Sequence, residues 1–288
     1  MKVSASFLVG LRVYRQRENT QANRNMNSRI ESGIDLLARL ITRPSLSALW
    51  NQMLVEGIQT TDAIEICGDK STGKSLFLYE LIGKCILPKC QNGLEVGGCD
   101  ASVILINTDH HFCASKFVEV TRNLVVNECI RNMGNISEAT NAIISHIVHD
   151  SLEKLIIIDC YEYEQFLITM HTLTDRLLKN KKIALLAIDS ITAHYWQSRQ
   201  IYGPSSIDQY TKKCLKLLRT STSRCKIATI YIRLRDAPLN SEPSRFIAQI
   251  GFTTKSLEMP THIILLQRLD KSVLTCSLQS QEGLQRNS

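Results

Sequence analysis

The chain has 288 residues, with 34 Lys and Arg against 27 Asp and Glu, 44% hydrophobic residues, and only 13 Gly and 6 Pro. That length suffices for one large domain or two small ones with a substantial core, and the composition excludes collagen-like, disulfide-stapled and low-complexity chains. No run of about 18 uncharged apolar residues occurs, which excludes a spanning helix. The net charge of +7 is unevenly spread, because residues 1–30 carry Lys2, Arg12, Arg15, Arg17, Arg24 and Arg29 against Glu18, leaving +2 for the rest.

Residues 1–28 read as a basic N-terminal extension expected to be disordered. Its Arg-rich, nearly acid-free stretch 1–27 leaves an organellar presequence as the alternative. A secretory signal does not fit, because the apolar stretch Ala5–Leu11 is short and lacks a small-residue cleavage site. From Glu31 the pattern becomes regular, and Ile34, Leu37, Ala38 and Ile41 share one face of a short helix. Asp62–Cys67 is strand-like, and Gly73–Leu87 reads as a helix stopped by Pro88. Residues 90–100 form a Gly-rich loop.

Ser102–Asn107, Leu155–Asp159, Ile183–Asp189 and Lys226–Ile232 are short aliphatic runs suited to strands buried on both faces. Helical patterns lie between them at about 114–131, 137–150, 161–180 and 205–223. Thr261–Leu266 and Val273–Leu278 look like a hairpin, and 279–288 is a polar tail. Alternation of strand and helix predicts a mainly parallel sheet covered on both sides.

The ten cysteines include no CxxC, and several sit inside apolar runs, as buried free thiols of a reducing compartment do. Cys99, His110 or His111, and Cys113 are the alternative, a metal site, but their spacing matches no zinc pattern.

Residues 68–75, Gly-Asp-Lys-Ser-Thr-Gly-Lys-Ser, match GxxxxGK[ST] between a strand and a helix. Gly68 lets the chain turn out of the strand, and Gly73 lets backbone amides close around an anion. The helix start directs its positive end at the phosphates. Lys74 is the candidate for the β- and γ-phosphates and the Ser75 hydroxyl for Mg2+. A further carboxylate for the Mg2+ shell should end a neighbouring strand. Asp159 and Asp189 compete for that role, and the Ser following Asp189 favours it; a helix cap is the plain alternative for either. Asp109, at the carboxyl end of the strand 102–107, is a candidate to polarise water, or again a cap.

The order GDKSTGKS, INTDHHF, LLAIDSITAHYW resembles the RecA-type recombinase family. ESGIDLLARL and CILPKCQNGLEVGG extend the resemblance to the eukaryotic recombinase paralogues, over about residues 29–235. It implies an α/β fold with a RecA-like P-loop NTPase core at 29–278, a mainly parallel sheet flanked by helices with a C-terminal β-hairpin. ATP would lie on Gly68, Asp69, Lys70, Ser71, Thr72, Gly73, Lys74 and Ser75, and Mg2+ on Ser75 and Asp189, with Asp159 non-catalytic. The sequence also departs from the family pattern. Asp109 stands where active recombinases keep a Glu; one methylene shorter, it falls roughly 1.5 Å short, a misplacement that can cost about 100-fold. Ile227–Leu234 lacks the Asn-Gln pair that couples γ-phosphate to DNA loops, the preceding segment leaves no room for a separate DNA-binding domain, and 121–150 is longer than expected.

By this resemblance the chain is a nucleotide-binding subunit of a DNA repair complex promoting homologous recombination, with weak or absent hydrolysis. Its partner is a sister recombinase paralogue of the D type, with single-stranded or branched DNA contacted through the complex, and its location is the nucleus. The DNA candidates are Arg199, Tyr202, Arg233, Arg235 and Arg245, in or beside loops 197–206 and 234–244, with solvated charge as the plain alternative. An active DNA-dependent ATPase performing strand exchange is the second reading. The third is a small-molecule P-loop kinase, with Arg233 and Arg235 as lid arginines.

Overall fold

The computed structural model describes residues 43–46, 49, 60–134, 137–223, 225–234, 259–270 and 273–280, and from 267 onward the backbone only. The extension 1–28, the helix at 31–41, Arg235, Arg245, most of loop 234–244 and residues 281–288 lie outside them.

The strands are β1 (Ala63–Gly68), β2 (Cys90–Gln91), β3 (Leu94–Glu95), β4 (Ser102–Asn107), β5 (Leu155–Asp159), β6 (Ile183–Asp189), β7 (Ala228–Leu234), β8 (His262–Asp270) and β9 (Val273–Ser280). The helices are α1 (Lys74–Ile86), α2 (Ala114–Met133), α3 (Glu138–Leu152), α4 (Tyr163–Lys179), α5 (Tyr195–Tyr202) and α6 (Ile207–Ser223). Seven strands form one sheet in the order β5-β4-β6-β7-β1-β8-β9. All neighbours run parallel except β9, which pairs antiparallel with β8. The expected α/β architecture and its C-terminal hairpin are therefore both present, and β9 runs on through Gln279 and Ser280, where a polar tail was expected.

Period-two alternation sorts the aliphatic residues between the two faces. Ile64, Ile66, Val103, Leu105, Ile230 and Ile232 face a cluster with Leu78, Ile82 and Ile86 of α1 and Phe117 of α2. Ile104, Ile106, Leu186, Ile188 and Tyr231 face Phe166, Met170 and Leu173 of α4 and Leu215 and Leu218 of α6. The long segment 121–150 builds a third cluster, in which Val125 and Cys129 of α2 meet Ile144, Ile147 and Val148 of α3 against Leu87 and Val96.

Two expectations need correction. Leu155–Asp159 is not buried on both faces: among the described strands it is at the edge, paired only with β4, and Ile157 and Asp159 are exposed. An apolar run does not by itself say whether both sides of a strand are flanked. The Gly-rich stretch 90–100 is also more ordered than a loop, since β2 and β3 form a small hairpin there.

Arg43 sews the start of the described chain to the far end of the sheet. Its guanidinium donates to Leu177 O at 2.6 Å, Asn180 O at 3.1 Å, Ile183 O at 2.7 Å and Cys225 O at 2.6 Å. Leu177 O belongs to the last turn of α4, where carbonyls lack helical donors, so the fork satisfies groups that would otherwise be orphaned. Burial still pushes the Arg43 pKa down.

Candidate functional site

β1 delivers the phosphate loop at the carboxyl end of the sheet. Gly68 has φ 156, and a Cβ there would lie 2.3 Å from Leu266 O, so glycine is demanded by the close approach of β8 as well as by the turn. Ser71 and Gly73 have positive φ (61 and 80), and the Thr72 hydroxyl donates to Asp69 O at 2.9 Å, which ties the loop into a closed curve. Gly73 is the N-cap of α1 with no side-chain cap, and the first turn carries no acidic residue. The first amides of α1 are thus left to an anionic ligand. Lys74, 7% exposed, curls back and donates to Gly68 O at 3.0 Å and Asp69 O at 2.6 Å. Burial pushes its pKa down, with Asp69 opposing.

Of the two competing carboxylates, Asp189 meets the loop. The Ser75 hydroxyl donates to it, and the residue is 7% exposed. Burial raises its pKa and Asp109 raises it further, while Ser75, His111 and Lys74 pull the other way. Asp159 sits two strands over, accepting from Asn107 Nδ2 at 2.7 Å. Asp109 is half-buried beside Asp189, and its amide donates to Asp189 O at 3.2 Å. His110 stacks on exposed Tyr161, ring centroids 4.4 Å apart. The Cys99 amide donates to Lys84 O, while the Cys113 amide donates to the Tyr79 hydroxyl. Among the described residues no three ligating side chains gather, so the alternative metal site of Cys99, His110 or His111, and Cys113 is not assembled. Among the described residues nine cysteines are free; seven are buried, but Cys90 and Cys113 are exposed.

The DNA candidates do not form one surface. Residues 197–202, expected as a loop, are the body of α5, which sequence periodicity missed because the helix has only eight residues. Arg199 lies over the Trp196 ring at 5.5 Å, and Tyr202 is 68% exposed. Trp196, 62% exposed, was absent from the expected set; its neighbour Tyr195 points inward, so the outward aromatic emerges only once the helix is placed. Arg233 differs in kind. It pairs with Asp208 and, at 3.7 Å, with Glu65, which also accepts from Tyr231 at 3.0 Å. Burial would lower its pKa, but the two carboxylates outweigh burial and raise it. Arg233 is therefore committed to the interior, and its expected availability to phosphate is corrected.

Buried His194, just before α5, has its Nε2 3.2 Å from Cys160 O; a carbonyl can only accept, so the ring donates. Burial lowers its pKa. His194 thereby links the end of β5 to the helix that displays Trp196.

Residues 38–149 match the Rad51 family. That match takes in somewhat over a third of the chain. It is 32% identical over 66% of its length to "DNA repair protein XRCC2" of Mus musculus, of which that alignment covers 63%. It is 21% identical over 56% of its length to "DNA repair protein XRCC2 homolog" of Arabidopsis thaliana, covering 48% of that protein. A third relative is "DNA repair protein RAD51 homolog 3" of Dictyostelium discoideum, 27% identical over 49% of this chain and 35% of that one. The chain thus spans less than two thirds of the length of each. The Rad51-type match includes the phosphate loop, α1, β4 and Asp109 and ends before β6, so the register of Asp189 beside Asn107 comes from the sheet itself.

Proposed function

We propose that the protein is a nucleotide-binding recombinase paralogue, a subunit of a DNA repair complex that promotes homologous recombination in the nucleus. The observation that carries this reading is the pairing of Ser75 with Asp189 at the mouth of a complete phosphate loop, within a Rad51-type domain. The names of the relatives, all DNA repair proteins, support the biological setting.

In this reading residues 68–75 hold the phosphates of ATP and Lys74 leaves its loop carbonyls to meet them. Ser75 and Asp189 hold Mg2+, which supplies charge neutralisation on the phosphates. Hydrolysis is weak or absent, because Asp109 is a short carboxylate and lies beside a second one, a poor arrangement for orienting and deprotonating water. Arg199, Tyr202 and Trp196 meet DNA through the complex, and a sister recombinase paralogue of the D type is the partner.

A pull-down from nuclear extract should recover such a paralogue, and recovery of none overturns the reading. Purified protein with single-stranded DNA and ATP should release little phosphate. DNA-stimulated turnover near about one per second would instead establish the active ATPase. The kinase reading loses support from Arg233, whose ion pairs keep it from acting as a lid.

A further inference from the structure

The modest charge of the core conceals a sharp segregation. Residues 163–226 hold eleven Lys or Arg against four Asp or Glu, a surplus of seven that equals the net charge of the whole chain. One of the four acids is Asp189 at the nucleotide site, and another, Asp208, is taken by Arg233. The exposed acids of α4 are Glu164 and Asp175.

The surplus has a definite place. Lys212 and Lys213 lie on the exposed side of α6, and Lys179 ends the exposed side of α4, which packs beside it. Lys181 and Lys182 follow in the turn to β6, and Lys226 in the turn to β7, all exposed. The Arg43 fork bonds carbonyls of both turns at once, so Lys179, Lys181, Lys182 and Lys226 flank one patch at the amino ends of the strands, while Lys212 and Lys213 extend the positive face along α6 toward its start, where Asp208 pairs with Arg233. The patch at the turns is opposite the phosphate loop and opposite Asp109. At 1.5 Å per helical residue, the stretch of α6 from Lys212 to Ser223 is about 16 Å, roughly five base-pair steps of duplex.

The opposite helical layer shows what ordinary surface charge looks like on this protein. There, cations pair within their own helix, Lys116 with Glu119 and Arg131 with Glu128. Among the described residues none of the six lysines named above has a carboxylate partner. Nor does the face expose a Phe, Tyr or Trp ring between Tyr163 and Lys179 or between Ile207 and Ser223, His171 being its exposed ring. Lysines without rings contact a phosphate backbone but offer no base-stacking platform, whereas Trp196 and Tyr202 offer that platform elsewhere.

We infer that the outer face of α4 and α6, with the two turns at their ends, is a binding site for the phosphate backbone of duplex DNA, separate from the α5 aromatic surface. DNA rather than another polyanion rests on the reading of the chain as a DNA repair subunit; the charge segregation itself does not.

The test uses the full chain with two fluorescent probes, a mixed-sequence duplex and oligo-dT, titrated at about 50 and 200 mM salt. Replacing Lys181, Lys182, Lys212 and Lys213 by Glu should weaken duplex binding by about tenfold or more, with the salt slope falling by about 0.9 for each phosphate that is no longer neutralised. Oligo-dT binding should hold. Trp196→Ala with Arg199→Ala should do the reverse. Gln at the same four lysine positions is the second variant, for which a several-fold weakening with an unchanged melting temperature is expected. Unchanged duplex affinity, equal weakening on both probes, or displacement of duplex by equimolar polyglutamate overturns the site. Recovery of a sister paralogue is read separately, so this inference and the proposed function can fail independently.

Discussion

Asp189 carries a cost that its ligand would remove. Burial raises its pKa, so the ionised form is disfavoured in the folded protein. Asp189→Asn should therefore stabilise the nucleotide-free protein by on the order of 1 kcal/mol in urea unfolding, while weakening Mg2+-dependent ATP binding by about tenfold or more. A variant that loses both stability and binding would mean that the carboxylate is structural. His194 responds to pH in the opposite sense. Its folded pKa is lowered by burial, so on acidification the unfolded chain takes up the proton first. The stability this group contributes is present above the ordinary histidine value of about 6.5 and is lost as pH falls from there toward the folded pKa. His194→Gln should flatten this part of the pH dependence in denaturation midpoints measured between about pH 5 and 7.5. An unchanged slope would exclude His194 as its source.

The phosphate loop and its flanking strand and helix were readable because glycine, lysine and hydroxyl positions are dictated by one ligand chemistry. The parallel strands were readable because aliphatic residues without polar interruption have few other uses. Three features were not. The edge position of β5 depends on which neighbour is missing; α5 is too short to display a period; and the Glu65–Tyr231–Arg233–Asp208 cluster joins residues up to 168 positions apart. Gly68 shows the difference between a correct residue and a complete reason. Its motif role was plain, yet the carbonyl of Leu266 pressing on it comes from β8, far along the chain. Gly68→Ala should accordingly cost about 2–3 kcal/mol of stability through displacement of β8, measurable in urea even without nucleotide. A loss of ATP binding with unaltered stability would contradict this.

With the sheet built around the loop, nucleotide binding and global stability are linked. ATP and Mg2+ at about 100 times the dissociation constant should add about 2.7 kcal/mol. At roughly 2–4 °C per kcal/mol for a domain near this size, the melting temperature rises by about 5–10 °C. Lys74→Ala should abolish most of that rise, and a full rise in the variant would place the ligand elsewhere. In the proposed complex Lys74→Ala should have only a mild effect on assembly, because Lys74 is buried and bonds its own loop carbonyls. Complete loss of the complex would contradict this.

The Arg43 fork also sets a clock. Its acceptors lie 134 to 182 residues later in the chain. At about 5–20 residues per second of synthesis, Arg43 waits roughly 10–35 s on the ribosome before Cys225 has even been made. Leu46 and Leu49 can meet β1 and α1 sooner, but the β6, β7 and β8 members of their cluster also come late. The first of the described residues to be synthesised is thus among the last to complete its contacts, and the nascent protein spends that interval with this segment only partly covered.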